Sequence, residues 1–145
     1  MRPVELRDVP ALVADCWADH SEKHAQQHIR RIQYFAQRQR GLGIVVTDGV
    51  QIIGYGQIII WKHCGEISDL IVSATQRNQG IGTAMIQHLM QAGRAMGITC
   101  FEIGAAVSNP RALALYRRLG FVDAYQRSLD LGAGVETVIY LRRSG

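Results

Sequence analysis

The segment Arg77–Thr83, with the sequence RNQGIGT, places two glycines directly before an apolar, helix-like stretch. Glycine lets a backbone come close to a ligand, and the first N–H groups of a helix are unpaired and lie at its positive end. Together these features favour the binding of a pyrophosphate group. An ordinary strand-to-helix turn can also contain two glycines, so the turn alone leaves both interpretations open.

Two other phosphate-binding loops are excluded by the residues that follow. The dinucleotide-binding fingerprint needs a third glycine, and Met85 occupies that position. The P-loop needs a Gly-Lys-Ser/Thr triplet, which the sequence does not contain.

A second segment with chemical potential begins at Asn109-Pro110, an N-cap followed by a proline in the first helical position. The predicted helix runs to about Leu119 and carries Tyr116. A phenol stays protonated at neutral pH and can donate a proton. The spacing of Tyr116 from Ala112 and Leu119 is equally that of a core aromatic, and taken alone it favours the core.

Carboxylates occur on the strand predicted before the glycine-rich turn. In a regular strand Glu66, Ser68, Leu70 and Val72 share one face, whereas Asp69 points to the other face. A carboxylate on the first face can act as a general base or serve only as a solvated strand residue. We expect Asp69 to be structural.

His20, His24 and His28 have a four-residue spacing that could stack them on one helix face, a pattern that can bind zinc. Ser21, however, is the predicted N-cap, which leaves His20 outside the helix. No cysteine or carboxylate completes a tetrahedral set. We therefore predict a solvated face and no metal.

Composition places the chain among compact globular proteins. Its 145 residues are 48% hydrophobic and 19% charged, which excludes disorder and predicts one domain over residues 1–145. The formal net charge of +4 suits a phosphorylated small ligand as well as a nucleic acid. The arginines are scattered and form no basic-aromatic module, so we predict no nucleic-acid partner.

The sequence also predicts a cytoplasmic protein. Cys16, Cys64 and Cys100 are far apart and form no CxxC pair, which indicates reduced thiols. The longest apolar run, residues 52–61, is interrupted by polar and glycine residues and falls short of the roughly 18 needed for a membrane helix. The N-terminal MRPVELRDVP has no signal-peptide core.

The periodicity predicts a mixed sheet in the order β-α-α-β-β-β-α-β-α-β-β, with helices on both faces. Asp8 and Ser21 are the predicted N-caps of the first two helices, and Gly54 and Gly56 suggest a bulge or a close backbone neighbour. One helix joins the two strands predicted to pair in parallel. The predicted strands are 1–6, 42–47, 50–61, 64–72, 98–107, 121–129 and 135–142, the later helices are 22–40, 80–96 and 110–119, and the last hairpin turns around 132–134.

Two motifs on these elements resemble the GNAT superfamily of N-acetyltransferases. The run ISDLIVSATQRNQGIGTAMIQHLM is similar to its acetyl-CoA-binding motif, Gln/Arg-x-x-Gly-x-Gly/Ala, and NPRALALYRRLGF is similar to the next conserved block. Asn78 departs from the glycine of many members, but asparagine tolerates a left-handed backbone. The N-terminal MRPVELRDVPALV resembles the opening strand and helix of the family. The matching residues are Arg77, Gly80, Gly82, Asn109, Ala112, Leu115, Tyr116, Gly120 and Phe121.

The resemblance implies the GNAT fold: α/β (α+β), with a mixed, mostly antiparallel central sheet, one splayed parallel strand pair and helices on both faces. It implies an enzyme that transfers an acetyl group from acetyl-CoA to a primary amine by direct attack in a ternary complex. Strand backbone would pair with pantetheine, and the loop N–H groups would hold the pyrophosphate. The implied cofactor-binding residues are Leu70, Ile71, Val72, Arg77, Asn78, Gln79, Gly80, Ile81, Gly82, Thr83, Asn109 and Tyr116.

The resemblance also implies catalytic roles. Tyr116 corresponds to the general acid of the family, which protonates the departing thiolate. Glu66, eleven residues before Arg77, has the offset of the catalytic glutamate in several members and is our candidate base. The alternatives remain a core tyrosine and a structural glutamate. The histidines 20, 24 and 28 border the family's acceptor cleft, which makes a role near the acceptor their second interpretation.

The acceptor and partners are left open. A non-catalytic acyl-CoA-binding sensor or subunit is the alternative function, and the presence of Tyr116 argues against it. The acceptor would be selected by residues 19–43, the Lys62-His63 turn and the last hairpin, which contain no recognisable motif. A small-molecule amine and a peptide or protein amine are both compatible with the sequence, as is a homodimer, whereas no membrane partner is expected.

Overall fold

A computed structural model describes residues 1–130, 132 and 134–145. Its elements follow the predicted order, although Ala133 in the predicted last turn lies outside the described residues. The strands are β1 (Arg2–Pro3), β2 (Gly41–Asp48), β3 (Gln51–Trp61), β4 (Cys64–Val72), β5 (Cys100–Ala106), β6 (Val122–Asp130) and β7 (Val135–Ser144). The helices are α1 (Val9–Asp15), α2 (Glu22–Gln37), α3 (Ile81–Ala95) and α4 (Pro110–Arg118).

The seven described strands form one sheet in the order β1-β2-β3-β4-β5-β7-β6. Strands β4 and β5 run parallel, and the other neighbouring pairs are antiparallel. The parallel pairing begins at Cys64 opposite Cys100 and ends at Ile67 opposite Ile103. Beyond Ile67 the two strands separate, and we call this gap the wedge. The predicted mixed, mostly antiparallel sheet with one splayed parallel pair is therefore confirmed.

Each face of the sheet has its own hydrophobic core. Helices α3 and α4 pack on one face, over a cluster that includes Ile58, Phe101 and Leu141. Helices α1 and α2 pack on the other face, over β2 and β3, around Tyr55 and Ile59. The α1/α2 face of β5, β6 and β7 carries charged and aromatic side chains instead, so that half of the face can meet a polar ligand.

The helix starts show which local signals determine structure. Ser21 Oγ accepts a hydrogen bond from the His24 N–H at 3.1 Å, and Asn109 Oδ1 accepts one from Ala112 at 3.3 Å, as predicted. Asp8 occupies the predicted N-cap position of α1, but its side chain makes no capping hydrogen bond. Its carboxylate is buried between the Arg2 guanidinium, at 2.7 and 2.8 Å, and the Glu5 N–H, and therefore cannot turn towards α1.

The prediction of three reduced cysteines is wrong for two of them. Cys64 and Cys100 stand opposite each other in the parallel register, with Cα atoms 4.7 Å apart, and form a disulfide. Strand pairing brings together residues that are 36 positions apart in sequence, which no local pattern reveals. Cys16 is a free thiol, and burial, with the nearby charge of Asp15, raises its pKa to about 11.

In the part of the chain that the structure describes, no helix is long and apolar enough to cross a membrane.

Candidate active site

A cavity of about 700 Å³ opens beside the wedge, on the α3/α4 face. It is bounded by the free end of β4, the glycine-rich loop and the first turns of α3 and α4. We call it the wedge cavity. Its lining residues are Leu70, Ile71, Val72, Gln76, Arg77, Asn78, Gly80, Ile81, Gly82, Thr83, Asn109, Arg111, Ala112, Leu115 and Arg118.

The backbone conformation of the loop directs the N-terminus of α3 towards this cavity. Asn78 has a φ of 66° and Gly80 a φ of 78°, both in the left-handed region, and α3 begins at Ile81. Glycine adopts such a φ without strain and asparagine tolerates it better than most residues. The first N–H groups of α3 therefore lie at the cavity wall, where an anion can accept from them.

The two loop glycines leave room for a group that the protein itself does not supply. A Cβ at Gly80 would have nothing within 4 Å, and one at Gly82 would meet only Leu115 Cδ2, at 3.9 Å. Gly82 has no positive φ and no tight packing that would require glycine. The open space in front of both residues fits a pyrophosphate held by backbone amides, and thus fits CoA.

Three arginines add positive charge to the wedge cavity. Arg77 donates to the Val72 carbonyl at 3.3 Å, and Arg111 donates to the side chain of Asn78. Arg118, the last residue of α4, also lines the cavity. Sequence analysis identified Arg77 but missed Arg111 and Arg118, although their spacing on a helix that starts at Asn109-Pro110 was a usable signal.

Tyr116 is mostly a core residue. It is 7% exposed and packs in the cluster under α3 and α4, with its ring centroid 6.5 Å from that of Phe121. Burial raises the pKa of Tyr116 above its ordinary value, which keeps the phenol protonated at neutral pH. The Tyr116 hydroxyl makes no hydrogen bond within the described residues. Among these residues only Ser73 has a fully buried side-chain oxygen without a partner, so the Tyr116 hydroxyl must reach solvent. Its role as a general acid stays a prediction.

A second cavity, of about 460 Å³, lies on the α1/α2 face and shares Leu70 and Ile71 with the wedge cavity. We call it the histidine cavity. The two cavities therefore meet at the free end of β4, as direct transfer between two ligands requires. The residues that line it are Cys16, Trp17, Asp19, His20, His24, His28, Asp69, Leu70 and Ile71.

A side-chain network joins α2 to β3 and β4 in this cavity. His28 Nε2 lies 2.9 Å from Gln57 Oε1 and 3.2 Å from Asp69 Oδ2. Gln57 Oε1 also accepts from the Tyr55 hydroxyl at 2.7 Å, and Gln57 Nε2 donates to Ser68 at 3.2 Å. The hydrogen bond that His28 donates to Asp69 raises the pKa of His28. Together with the hydrogen bond to Gln57, it outweighs burial and the charge of Arg31, which lower this pKa.

The predicted facing of β4 is wrong at this point. Asp69 has a φ of 54°, and the pairing with β3 shifts between Tyr55 and Gln57. This bulge leaves Ser68 and Asp69 towards α2 but turns Leu70 to the α3/α4 core. Alternation therefore fails, and Asp69 belongs to the cavity rather than to the opposite face.

The predicted irregularity near Gly54 and Gly56 is confirmed. A Cβ at Gly56 would lie only 2.7 Å from Leu70 Cδ2, so glycine allows β3 to accept the displaced Leu70.

Glu66 lies below the wedge, in a third cavity of about 590 Å³ on the α1/α2 face. Its carboxylate accepts a hydrogen bond from Trp61 Nε1 at 2.8 Å. Nearby, Glu102 accepts from Tyr125 at 2.6 Å and from Arg142 at 2.9 Å. We call this the tyrosine cavity, after the stacked rings of Tyr125 and Tyr140. Glu66 is three strand positions away from Asp69, and its role as a base stays a prediction.

The remaining histidines do not complete a metal site. The rings of His20 and His24 lie 4.9 Å apart, but within residues 1–130, 132 and 134–145 no group of three His, Cys, Asp or Glu side chains is arranged to hold a metal ion. Sequence analysis missed the cluster of His28, Gln57 and Asp69, because its members come from three elements and share no local spacing.

Comparisons with known proteins agree with this arrangement. Residues 8–121 match the sequence profile of the Acetyltransferase (GNAT) family. The chain is 26% identical over 123 residues to the [ribosomal protein bS18]-alanine N-acetyltransferase of Escherichia coli K12, covering 83% of this chain and 79% of that protein.

Solved structures share the fold. The acetyltransferase from Salmonella typhimurium that modifies the N-terminal serine of ribosomal protein L7/L12 superposes with a TM-score of 0.85 at 20% identity, covering 99% of this chain and 93% of that chain. A putative acetyltransferase from the same organism, solved with its cofactor acetyl-CoA, superposes with a TM-score of 0.77 at 16% identity, covering 99% and 91%.

Proposed function

The chain belongs to the GNAT family of acetyltransferases, and from this premise we propose that it acetylates the free α-amine of a peptide or protein. As a member of this family it is an enzyme that transfers an acetyl group from acetyl-CoA to an amine. The choice of a peptide or protein acceptor is the proposal. It is supported by the similarity to the bS18-alanine N-acetyltransferase and by the shape of the α1/α2 face.

The shape of that face is the observation that carries the proposal. The histidine cavity at Ile71 and the tyrosine cavity at Cys64 lie on the same face of β4, seven strand positions apart. At about 3.3 Å per residue, this corresponds to roughly 20 Å. A small amine would occupy only the first cavity, whereas an extended peptide with its amine at Ile71 could also occupy the second.

The wedge cavity would hold the cosubstrate. The N–H groups from Arg77 to Thr83 would donate to the pyrophosphate, and Arg111 and Arg118 would neutralise phosphate charge. The free backbone of Leu70, Ile71 and Val72 would pair with the pantetheine amides as a neighbouring strand would. Asn109 lies at the same wall, where it caps α4. Bound acetyl-CoA supplies a thioester, whose acyl carbon is open to attack by an amine.

Tyr116 would supply the proton that the departing sulfur needs. Its buried phenol stays protonated, and its hydroxyl has no partner among the described residues that would have to be displaced. For the opposite proton transfer, Glu66 remains the candidate from the sequence. Trp61 holds its carboxylate in the tyrosine cavity, so Glu66 would act through water. We also propose a cytoplasmic location, on the similarity to the bS18-alanine N-acetyltransferase alone, because the Cys64–Cys100 disulfide removes the argument from reduced thiols.

The test compares acceptors of different size. Hexapeptides with a free N-terminal alanine or serine are compared with the single amino acid amides, and CoA release is measured. We expect the peptides to be preferred in kcat/KM, and N-terminally acetylated peptides to be inactive. Preference for the amino acid amides would refute the peptide proposal. Binding of acetyl-CoA, measured by calorimetry, is the control that the enzyme is intact.

A further inference from the structure

We propose that His28, held by Asp69, is the group that takes the proton from the acceptor ammonium. This inference rests on the proposed transfer to an amine and replaces Glu66 in that role. It starts from the position of His28 in the histidine cavity, which meets the wedge cavity at Leu70 and Ile71. Because the two cavities share these residues, an acceptor amine bound in the histidine cavity would lie next to the thioester.

The hydrogen bonds of His28 determine which ring nitrogen can act. Nε2 faces two oxygens, Gln57 Oε1 at 2.9 Å and Asp69 Oδ2 at 3.2 Å. The Gln57 oxygen already accepts from Tyr55, whose phenol stays protonated because burial raises its pKa. Both oxygens are acceptors, so Nε2 must carry the proton and donate it. The lone pair of the neutral ring is then at Nδ1.

Nδ1 is available for chemistry. It has no hydrogen-bonding partner within the residues that the structure describes, and the side chain of His28 is 25% exposed. The ring is positioned by its contacts with Trp17, at 5.2 Å between ring centroids, and with Tyr55, at 6.1 Å. A carboxylate that holds one N–H of an imidazole, while the other nitrogen accepts a proton, is a proven arrangement for general base catalysis.

The charges around His28 support a base that works near neutral pH. On β4, Asp69 favours the charged imidazolium, whereas Arg31 on α2 disfavours it. His24 on α2 and Asp19 and His20 before it line the same cavity. On β3, Gln57 contributes an acceptor oxygen. The net effect raises the pKa of His28 from its ordinary value, which brings it closer to that of an α-amine.

The proton balance of the transfer is complete with His28 and Tyr116. His28 Nδ1 takes one proton from the ammonium and later releases it to solvent. The amine lone pair then forms the C–N bond as the C–S bond breaks. The thiolate receives a proton from Tyr116. The second proton that the amine nitrogen loses then reprotonates the phenol. The products are the N-acetylated amine, CoA thiol and one released proton.

The first test is independent of turnover. The imidazole C–H resonances of the protein are titrated by NMR, and His28 is assigned by the signal that is lost in His28→Gln. We expect His28 to titrate above about 6.5, and Asp69→Asn to lower its pKa. A pKa of His28 that does not change in Asp69→Asn would refute the proposed pair.

The second test uses an alanine-initiated hexapeptide as the probe and follows kcat/KM against pH. His28→Gln should lower kcat/KM about 100-fold at neutral pH and shift the acidic limb of the profile from the pKa of His28 to that of the free acceptor amine, with acetyl-CoA affinity unchanged. Asp69→Asn should move that limb to lower pH. The control His88→Gln, at a histidine of α3 that lines none of the three cavities, should keep the limb at the pH of the parent enzyme.

Two outcomes would overturn the assignment: an acidic limb that stays at the pH of the parent enzyme in His28→Gln, or one that shifts to the pKa of the acceptor amine in Glu66→Gln. If the hexapeptide is not acetylated although acetyl-CoA binds, the failure belongs to the proposed acceptor. The NMR titration then still decides the pair of His28 and Asp69.

Discussion

The two sides of the free end of β4 are built in different ways. The wedge cavity is lined mainly by one continuous segment, from the end of β4 through the glycine-rich loop to the start of α3, with α4 adding charge. The histidine cavity is formed by side chains from α2, β3, β4 and the segment after α1. A cosubstrate common to a whole family can be bound by backbone, whereas an acceptor that differs between members must be selected by side chains.

This contrast explains where substitutions should act. Changes in the loop alter the space in front of the backbone and should affect CoA affinity. Changes in the histidine cavity alter protonation and acceptor binding and should leave CoA affinity intact. The contrast would be refuted if a loop variant changed protonation or acceptor binding, or if a histidine-cavity variant changed CoA affinity.

The largest effect is expected for Gly82→Val. A branched side chain would fill the space in front of the loop, where only Leu115 lies within 4 Å of a Cβ. We expect acetyl-CoA affinity, measured by calorimetry, to fall by at least roughly 100-fold, or about 2.7 kcal/mol. Gln87→Val, at an exposed position of the same helix, is the matched control. Unchanged binding by Gly82→Val would mean that the pyrophosphate lies elsewhere.

Tyr116→Phe should be next in size and should affect rate rather than affinity. It removes only the hydroxyl and keeps the ring packing against Phe121. We expect kcat to fall about 100-fold to 10,000-fold with little change in acetyl-CoA affinity or melting temperature. Tyr34→Phe, at a residue 53% exposed on α2, controls for the loss of a phenol. Full activity of the Tyr116→Phe variant would show that Tyr116 is a core aromatic residue without a catalytic role.

Arg118→Ala should weaken CoA binding by a smaller factor, of about 5-fold to 10-fold, because it removes one positive charge from the solvated wall of the wedge cavity. The loss should shrink at high salt. Arg117→Ala is a close control, since Arg117 is the adjacent residue but pairs with Asp123 at 2.8 Å. Equal losses in the two variants would indicate a general charge effect. Calorimetry at two salt concentrations distinguishes these cases.

The smallest effect concerns stability and pH. Because Asp69 raises the pKa of His28, the pair stabilises the fold fully below the unfolded-state pKa, and this contribution is lost as pH rises through the folded-state pKa. The difference in the free energy of unfolding between the parent and Asp69→Asn should therefore shrink with rising pH. It should stay below about 1 kcal/mol, since Asp69 is 47% exposed.

The measurement is urea unfolding at several pH values across neutrality. Asp19→Asn is the control, because Asp19 contacts His20 but is 91% exposed and well screened by water. A difference for Asp69→Asn that grows with rising pH would contradict the proposed pair.

The wedge-cavity side of the molecule depends on local signals and was predicted from the sequence. The loop glycines, the Asn109-Pro110 start of α4 and the order of elements are written in neighbouring residues, and the structure confirms their positions. The exception is Asp8, whose carboxylate forms an ion pair with Arg2, six residues earlier, instead of capping α1.

Features that depend on the pairing of residues far apart in sequence were not predicted. The bulge at Asp69 is accommodated by Gly56 on the neighbouring strand, where Leu70 is received. His28 is brought to Asp69 only by packing α2 on the sheet. Regular alternation along β4 was a reasonable expectation, but one bulge reversed the facing of every residue after it.

The separation of β4 from β5 has a consequence for the protein without its cosubstrate. After Ile67, among the described residues, the β5 side of β4 pairs with no strand, so the sheet contains an edge in its interior. Exposed strand edges invite pairing with other chains and aggregation. Here the pairing from Cys64 to Ile67 closes one end of the seam, so a foreign strand could enter only from the open end and match only the few residues up to Val72. The seam thus offers only a few backbone positions to a foreign strand, which limits its capacity to seed a larger assembly.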